Sequence, residues 1–225
     1  YVARRFEAIH QGHLNVHQDE IWFFLTISFY GFISIGGFKN GTIKNYGANE
    51  LRFTLRQDIL IRNIKEDNLV FFYQELAKLD FVKLGYNSTA DITACPGTDT
   101  CNLGIASSTG IATELERVLA TEYPQYNENK DITIKISGCM NACGQHNMAE
   151  IGFQGMSINS GKLVAPALQV LLGGGNLGNG QGRFADKVIK IPSRRGPEAL
   201  RSILNDFEAN ANGLKFLDYY DAKGE

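Results

Sequence analysis

Four cysteines, the only ones in the chain, fall in two pairs: Cys95 with Cys101, and Cys139 with Cys143. Each pair lies beside glycine. Thiolates are soft ligands, so grouped cysteines point to zinc or to iron–sulfur chemistry. A disulfide framework does not suit a 225-residue chain, because stapled scaffolds are shorter and denser in cysteine. Zinc knuckles space paired ligands about two to four residues apart. The gap from Cys95 to Cys101 is wider than that. Four thiolates in two wide pairs suit a 4Fe–4S cube, whose irons each take one sulfur from a different direction. Spacing alone favours the cluster and leaves two other readings open: a zinc site, and core cysteines that bind nothing.

The elements that must position these residues follow from pattern. A strand ends at Cys95, and residues 131–137 (DITIKIS) form another that delivers Cys139. Both pairs therefore follow strand ends, where open α/β sheets place their ligands. Ser107 or Ser108 caps a helix through Leu119, with Ile111, Leu115, Val118 and Leu119 on one face. Cys139 and Cys143 are i and i+4, so on one turn of helix they would face the same way, at the N-terminus of a short helix over 141–147. That spacing would put their Cβ atoms about 5–6 Å apart, with the N-terminal dipole favouring thiolate. Gly138 and Gly144 free backbone N–H groups to donate to cluster sulfur. Further strands are expected near 150–155, 163–172 and 186–191, and a last helix over about 197–209.

Upstream, residues 21–85 read as strand, helix, strand, strand, helix. Ile35, Phe38, Ile43 and Tyr46 lie near helical spacing, and Leu51–Leu55 and Ile59–Arg62 alternate as half-buried strands do. Asp67 is placed to cap a helix whose apolar face is Leu69, Phe72, Tyr73 and Leu76. This is half of a ferredoxin-like arrangement and needs a partner half to complete its sheet. Ile21 to Phe38 carries no charge and just reaches the length of a membrane span. Its β-branched, aromatic and hydroxyl residues fit a buried strand and a glycine turn better.

Composition narrows the class. With 44% hydrophobic residues, 20% charged residues and net charge −2, the chain is globular and has no basic excess to recommend nucleic acid. The first residue is Tyr1 and no signal peptide is evident. Together with the abrupt ending after Phe216–Asp221, this suggests a piece of a longer protein. Asn87-Ser88-Thr89 matches a glycosylation sequon, but metal-binding thiols imply a reducing, cytoplasmic interior, so it is read as a loop. His10, His13 and His17 fit a polar linker better than a metal site. The glycine-rich run 171–182 (LLGGGNLGNGQG) lacks the dinucleotide fingerprint and is expected to let backbone approach a cofactor closely.

The residues around the cysteines carry a resemblance. ACPGTDTCNLG at 94–104, SGCMNACGQH at 137–146 and AEIGFQG at 149–155 resemble the iron–sulfur and sirohaem segments of assimilatory nitrite and sulfite reductases. LRFTLRQ at 51–57 and LLGGG at 171–175 extend the similarity, which covers about residues 21–210. Met140 stands where that family usually carries proline, a change that a turn tolerates.

The resemblance implies an α/β (α+β) architecture. Residues 1–20 would be a linker remnant and 21–89 a ferredoxin-like half-domain. The sirohaem and 4Fe–4S domain would run over 90–213, with 214–225 opening a tail. It implies the C-terminal half of an oxidoreductase that reduces nitrite to ammonia or sulfite to sulfide with six electrons. Cys95, Cys101, Cys139 and Cys143 would hold the cluster, and the Cys143 thiolate would bridge it to sirohaem. Sirohaem carries eight carboxylates, so its pocket must be rich in cationic and amide donors. Arg52, Arg56 and Gln57 on the strand pair, with Asn141 and Gln145, are the candidates here; Arg52 and Arg56 share strand parity. His146 is read as packed behind the site. The implied partners are the N-terminal half of the same parent, a small oxyanion, and a ferredoxin or flavoprotein electron donor. Neither nucleic acid nor membrane is implied. The isolated chain is expected to be inactive and to dimerise through its half-domain. A zinc module, or an electron-transfer or assembly module without catalysis, is the alternative.

Overall fold

The computed structural model describes residues 21–26, 51–79, 81–82 and 85–223. The helix expected around Ile35–Tyr46 and the histidines of the first segment lie outside them. The chain separates into two compact units, Tyr1–Tyr86 and Asn87–Glu225.

In the first unit, β1 (Ile21–Thr26), β2 (Leu51–Phe53) and β3 (Asp58–Ile64) form an antiparallel sheet in the order β1-β3-β2. Ile21–Thr26 is thus a paired strand and not the start of a spanning helix. No helix among the described residues is long and apolar enough to cross a membrane. Helix α1 (Leu69–Ala77) buries Leu69, Phe72 and Leu76 against Ile59, Ile61 and Ile64. Asp67 does not cap it: a 3₁₀ turn over Glu66–Asn68 precedes the helix, and Asn68 occupies the cap position. Arg52 and Arg56 do not share a strand face either. β2 ends at Phe53, and Arg56 lies in a turn. The Thr54 hydroxyl organises that turn, accepting from the N–H groups of Arg56 (3.2 Å) and Asp58 (3.1 Å).

The second unit is built on a five-stranded mixed sheet in the order β10-β7-β6-β5-β4. Its strands are β4 (Thr93–Ala94), β5 (Ile134–Ser137), β6 (Ile151–Ser160), β7 (Leu163–Leu172) and β10 (Asp186–Pro192). β4, β5 and β6 run parallel; β7 and β10 are antiparallel to their neighbours. A small hairpin, β8 (Gly175–Gly178) and β9 (Gln181–Arg183), fills the glycine-rich run. The sequence pattern did not predict it.

One face of the sheet packs under helices α2 (Ser108–Glu122) and α3 (Gly196–Asn210). Ile134, Ile136, Ile151 and Phe153 lie at 0–1% exposure there, with Leu115, Val118, Leu119, Leu200 and Leu204. Each such side chain contributes roughly 1.5–3 kcal/mol by leaving water. Ser107 caps α2, accepting from the Gly110 N–H at 3.3 Å. Helix α4 (Phe216–Lys223) closes on α3 through Phe216 and Tyr219, whose rings meet Phe207.

The glycines at 173–175 meet the protein itself. A Cβ on Gly173 would fall 2.3 Å from the Tyr220 ring, and one on Gly175 2.3 Å from the Glu150 carboxylate. At this turn the glycines accommodate α4 and Glu150, whereas further along the run a Cβ on Gly178 or Gly180 would meet nothing within 4 Å.

Parallel neighbours need a crossover connection, usually a helix. α2 supplies it between β4 and β5. Between β5 and β6 the connection is the segment 138–150, which carries Cys139 and Cys143. It must travel back along the sheet from the end of β5 to the start of β6, and no long helix helps it.

Candidate metal centre

Both cysteine pairs sit at the same end of the sheet, because β4 and β5 are parallel neighbours. The Cys95 N–H extends their ladder, donating to the Ile136 carbonyl at 3.2 Å. Cys95 and Cys139 are buried, whereas Cys101 and Cys143 are exposed, and all four are free thiols. The Gly138 N–H donates to Cys95 Sγ at 3.1 Å, a bond that stabilises a thiolate and lifts the potential of a cluster it holds. Ser108, the second residue of the pair considered as a helix cap, turns inward instead. Its hydroxyl donates to the Cys95 carbonyl at 2.6 Å and lies 3.5 Å from the sulfur.

The two loops are joined backbone to backbone. The Gly138 carbonyl accepts from the N–H groups of Ile105 (2.8 Å) and Ala106 (3.0 Å), while the Cys101 N–H donates to the Gly97 carbonyl at 3.0 Å. A Cβ on Gly138 would stand 2.7 Å from Gly97 Cα, and one on Gly155 2.2 Å from the Gly138 oxygen. Gly97 itself has φ +55. Glycine here is a packing requirement, since no side chain fits between these segments.

The segment 141–147 is not a helix. Ala142 and Gln145 both have φ +58, a left-handed setting that interrupts helical hydrogen bonding. Only a 3₁₀ turn, His146–Met148, follows. Cys139 and Cys143 are therefore not stacked on one helical turn, and the segment itself supplies no helix N-terminus to them. The Gly144 N–H does not face a sulfur: it donates to Ser137 Oγ at 3.0 Å.

Of the other expected site residues, Asn141 is exposed between the last two cysteines, as is its neighbour Met140. Gln145 is half-buried, its Oε1 accepting from Lys135 Nζ at 2.7 Å. Arg52, Arg56 and Gln57 belong to the first unit. Lys135 and Ser137 escaped the sequence reading, which had considered Ser108 only as a helix cap. Lys135 and Ser137 alternate with isoleucines in the strand, so their shared face was a usable signal.

His146 is 3% exposed. Burial pushes its pKa down; a hydrogen bond with Gln154 works against the shift, and the Lys187 ammonium adds to it. The unfolded chain, with its imidazole near 6.5, thus binds more protons than the folded one between the lowered pKa and about 6.5. Stability is full above about pH 6.5 and declines as pH falls through that window. A lower urea midpoint is expected at about pH 5.5 than at about pH 7.5, with His146→Gln flattening the difference. A wild-type midpoint unchanged over this range would contradict the assignment.

Four thiols are a soft donor set, and their chemistry fits an iron–sulfur cluster, which takes one cysteine per iron. Two of them are buried and two exposed, on loops that follow adjacent strands and are fastened to each other at Gly138.

Comparison with known proteins agrees. The model of the nitrite and sulphite reductase 4Fe-4S domain matches residues 85–216, and the chain belongs to that family. A ferredoxin sulfite reductase of Mycolicibacterium paratuberculosis is 30% identical over 165 residues, covering 68% of this chain and 29% of the relative. An assimilatory ferredoxin-dependent nitrite reductase of Haloferax mediterranei is 25% identical over 181 residues, covering 80% of this chain and 30% of the relative. The structure of the Mycobacterium tuberculosis NirA protein shares the fold with a TM-score of 0.72 at 22% identity, over 95% of this chain and 40% of that one. The chain thus spans about a third of the length of these curated relatives.

Proposed function

We propose that this chain is the cluster-bearing part of a nitrite or sulfite reductase, with Cys95, Cys101, Cys139 and Cys143 as ligands of a 4Fe–4S cluster beside sirohaem. The observation that carries this reading is the placement of the two cysteine loops at the ends of adjacent parallel strands, fastened together at Gly138. When bound, the two groups supply single electrons and an iron that takes nitrite or sulfite, for a six-electron reduction to ammonia or sulfide.

The chain's own residues give this chemistry its setting. Gly138 stabilises the Cys95 thiolate through its N–H. Burial of Cys95 and Cys139 keeps water from the inner sulfurs, whereas Cys101 and Cys143 face outward. Cys143 is the thiolate we assign to the bridge with sirohaem. Asn141 is a donor for the sirohaem carboxylates, and Gln145 contributes its amide beside Lys135.

Turnover belongs to a longer chain, in which an N-terminal half pairs with the first unit and completes the cationic lining. This chain alone is expected to be inactive and to dimerise through that unit. The ferredoxin named in the relatives makes ferredoxin our first choice of electron donor, ahead of a flavoprotein. A zinc module or a non-catalytic electron-transfer module is not favoured.

The test is a pair of substitutions in the full-length enzyme. Cys143→Ser should lower the rate of nitrite or sulfite reduction roughly tenfold more than Cys95→Ser, about 1.4 kcal/mol of extra barrier. The reason is that only Cys143→Ser breaks the bridge. Equal residual rates would remove Cys143 from that role.

A further inference from the structure

We propose that Ser137 and Lys135 are positioning residues that hold the Cys143 sulfur in place from one face of the sheet; this rests on the cluster reading above. Lys135 and Ser137 alternate along β5, and Ser137 pairs with Gln154 and Lys135 with Gly152 across the parallel ladder. All four residues therefore share a face, opposite the one that α2 and α3 cover through Ile134, Ile136, Ile151 and Phe153.

The return limb of the crossover descends this face in steps. Gly144 donates to Ser137 Oγ at 3.0 Å. One residue on, Gln145 accepts from Lys135 at 2.7 Å. The His146 carbonyl then lies within 2.0 Å of where a Cβ on Gly152 would be. At the foot, the Thr133 N–H donates to the Glu150 carboxylate at 2.7 Å.

Cys143 stands at the crown of the turn from Ala142 to Gln145, closed by the Gln145 N–H on the Ala142 carbonyl at 2.7 Å. The other cysteines have different anchors. Cys95 is tied to Ile136 and Gly138, and Cys101 to Gly97. Cys139 is buried just beyond the end of β5. Cys143 alone depends on the descending limb. Loosening that limb should free one corner of a cluster and leave three held.

The test uses the whole 225-residue chain, loaded anaerobically with ferrous iron and sulfide. The variants are Ser137→Ala and Lys135→Met, the second at a half-buried position that folding tolerates more easily. Ferricyanide takes one electron from the cluster, and one ferrous ion leaves to give a three-iron species with its own EPR signal. Both variants should form that species about tenfold faster than wild type, the scale on which outer partners tune metal affinity. Iron loss at the wild-type rate would overturn the proposal. So would loss of all the iron together without a three-iron signal, which is what simple destabilisation would give. A wild-type chain that takes up no iron and labile sulfide would overturn the cluster reading itself.

Discussion

Gly155→Ala is expected to unfold the cysteine site and lower the stability of the second unit by about 3–5 kcal/mol. The new methyl would sit 2.2 Å from the Gly138 oxygen, 2.4 Å from its carbon and 2.9 Å from its Cα. These are backbone atoms between two loops and cannot swing aside. Overpacking of this kind costs about 1–3 kcal/mol by itself. Moving the Gly138 carbonyl also strands the N–H groups of Ile105 and Ala106 that donate to it, at about 1 kcal/mol each or more. A fall in Tm of about 10 °C follows for a protein of this size. The control is Gly161→Ala, in the turn between β6 and β7. Gly161 has φ +62 and nothing within 4 Å of an added Cβ, so only the left-handed backbone opposes alanine, at about 1–2 kcal/mol. Thermal melts of the two variants provide the comparison. Equal melting points would mean that the glycine contact between the loops contributes nothing.

Much of this architecture could be read from the residues. Alternation in DITIKIS gives β5, Ser107 announces α2, and the apolar spacing of Ile111, Leu115, Val118 and Leu119 gives the face that α2 buries. The cysteine flanks indicated the chemistry and the family together. What sequence pattern missed is the backbone between Cys139 and Cys143. The i, i+4 spacing that suggests a helix is equally compatible with a turn when Ala142 and Gln145 adopt φ +58. Nothing local marks alanine as left-handed. The cause is tertiary: the connection from β5 to β6 has to descend the sheet within residues 138–150, and a helix would carry it away from Ser137 and Lys135.

The glycines show the same limit. Gly138 and Gly144 look alike beside the second pair, yet one donates to a thiol and the other to a serine hydroxyl. Only the partner strand decides which. Within the run 171–182, Gly173 and Gly175 face Tyr220 and Glu150, while Gly178 and Gly180 face open space, a difference that nothing in the local sequence marks. The cysteine loops are joined to each other by backbone hydrogen bonds and by the glycine contacts between them.

The most direct test is to reconstitute the purified chain anaerobically with ferrous iron and sulfide, then measure metal and acid-labile sulfide. The account predicts about four irons and four sulfides per chain, with loading lost when Cys95 and Cys139 are both replaced by alanine. A single tightly held zinc without labile sulfide, or no metal at all, would contradict it.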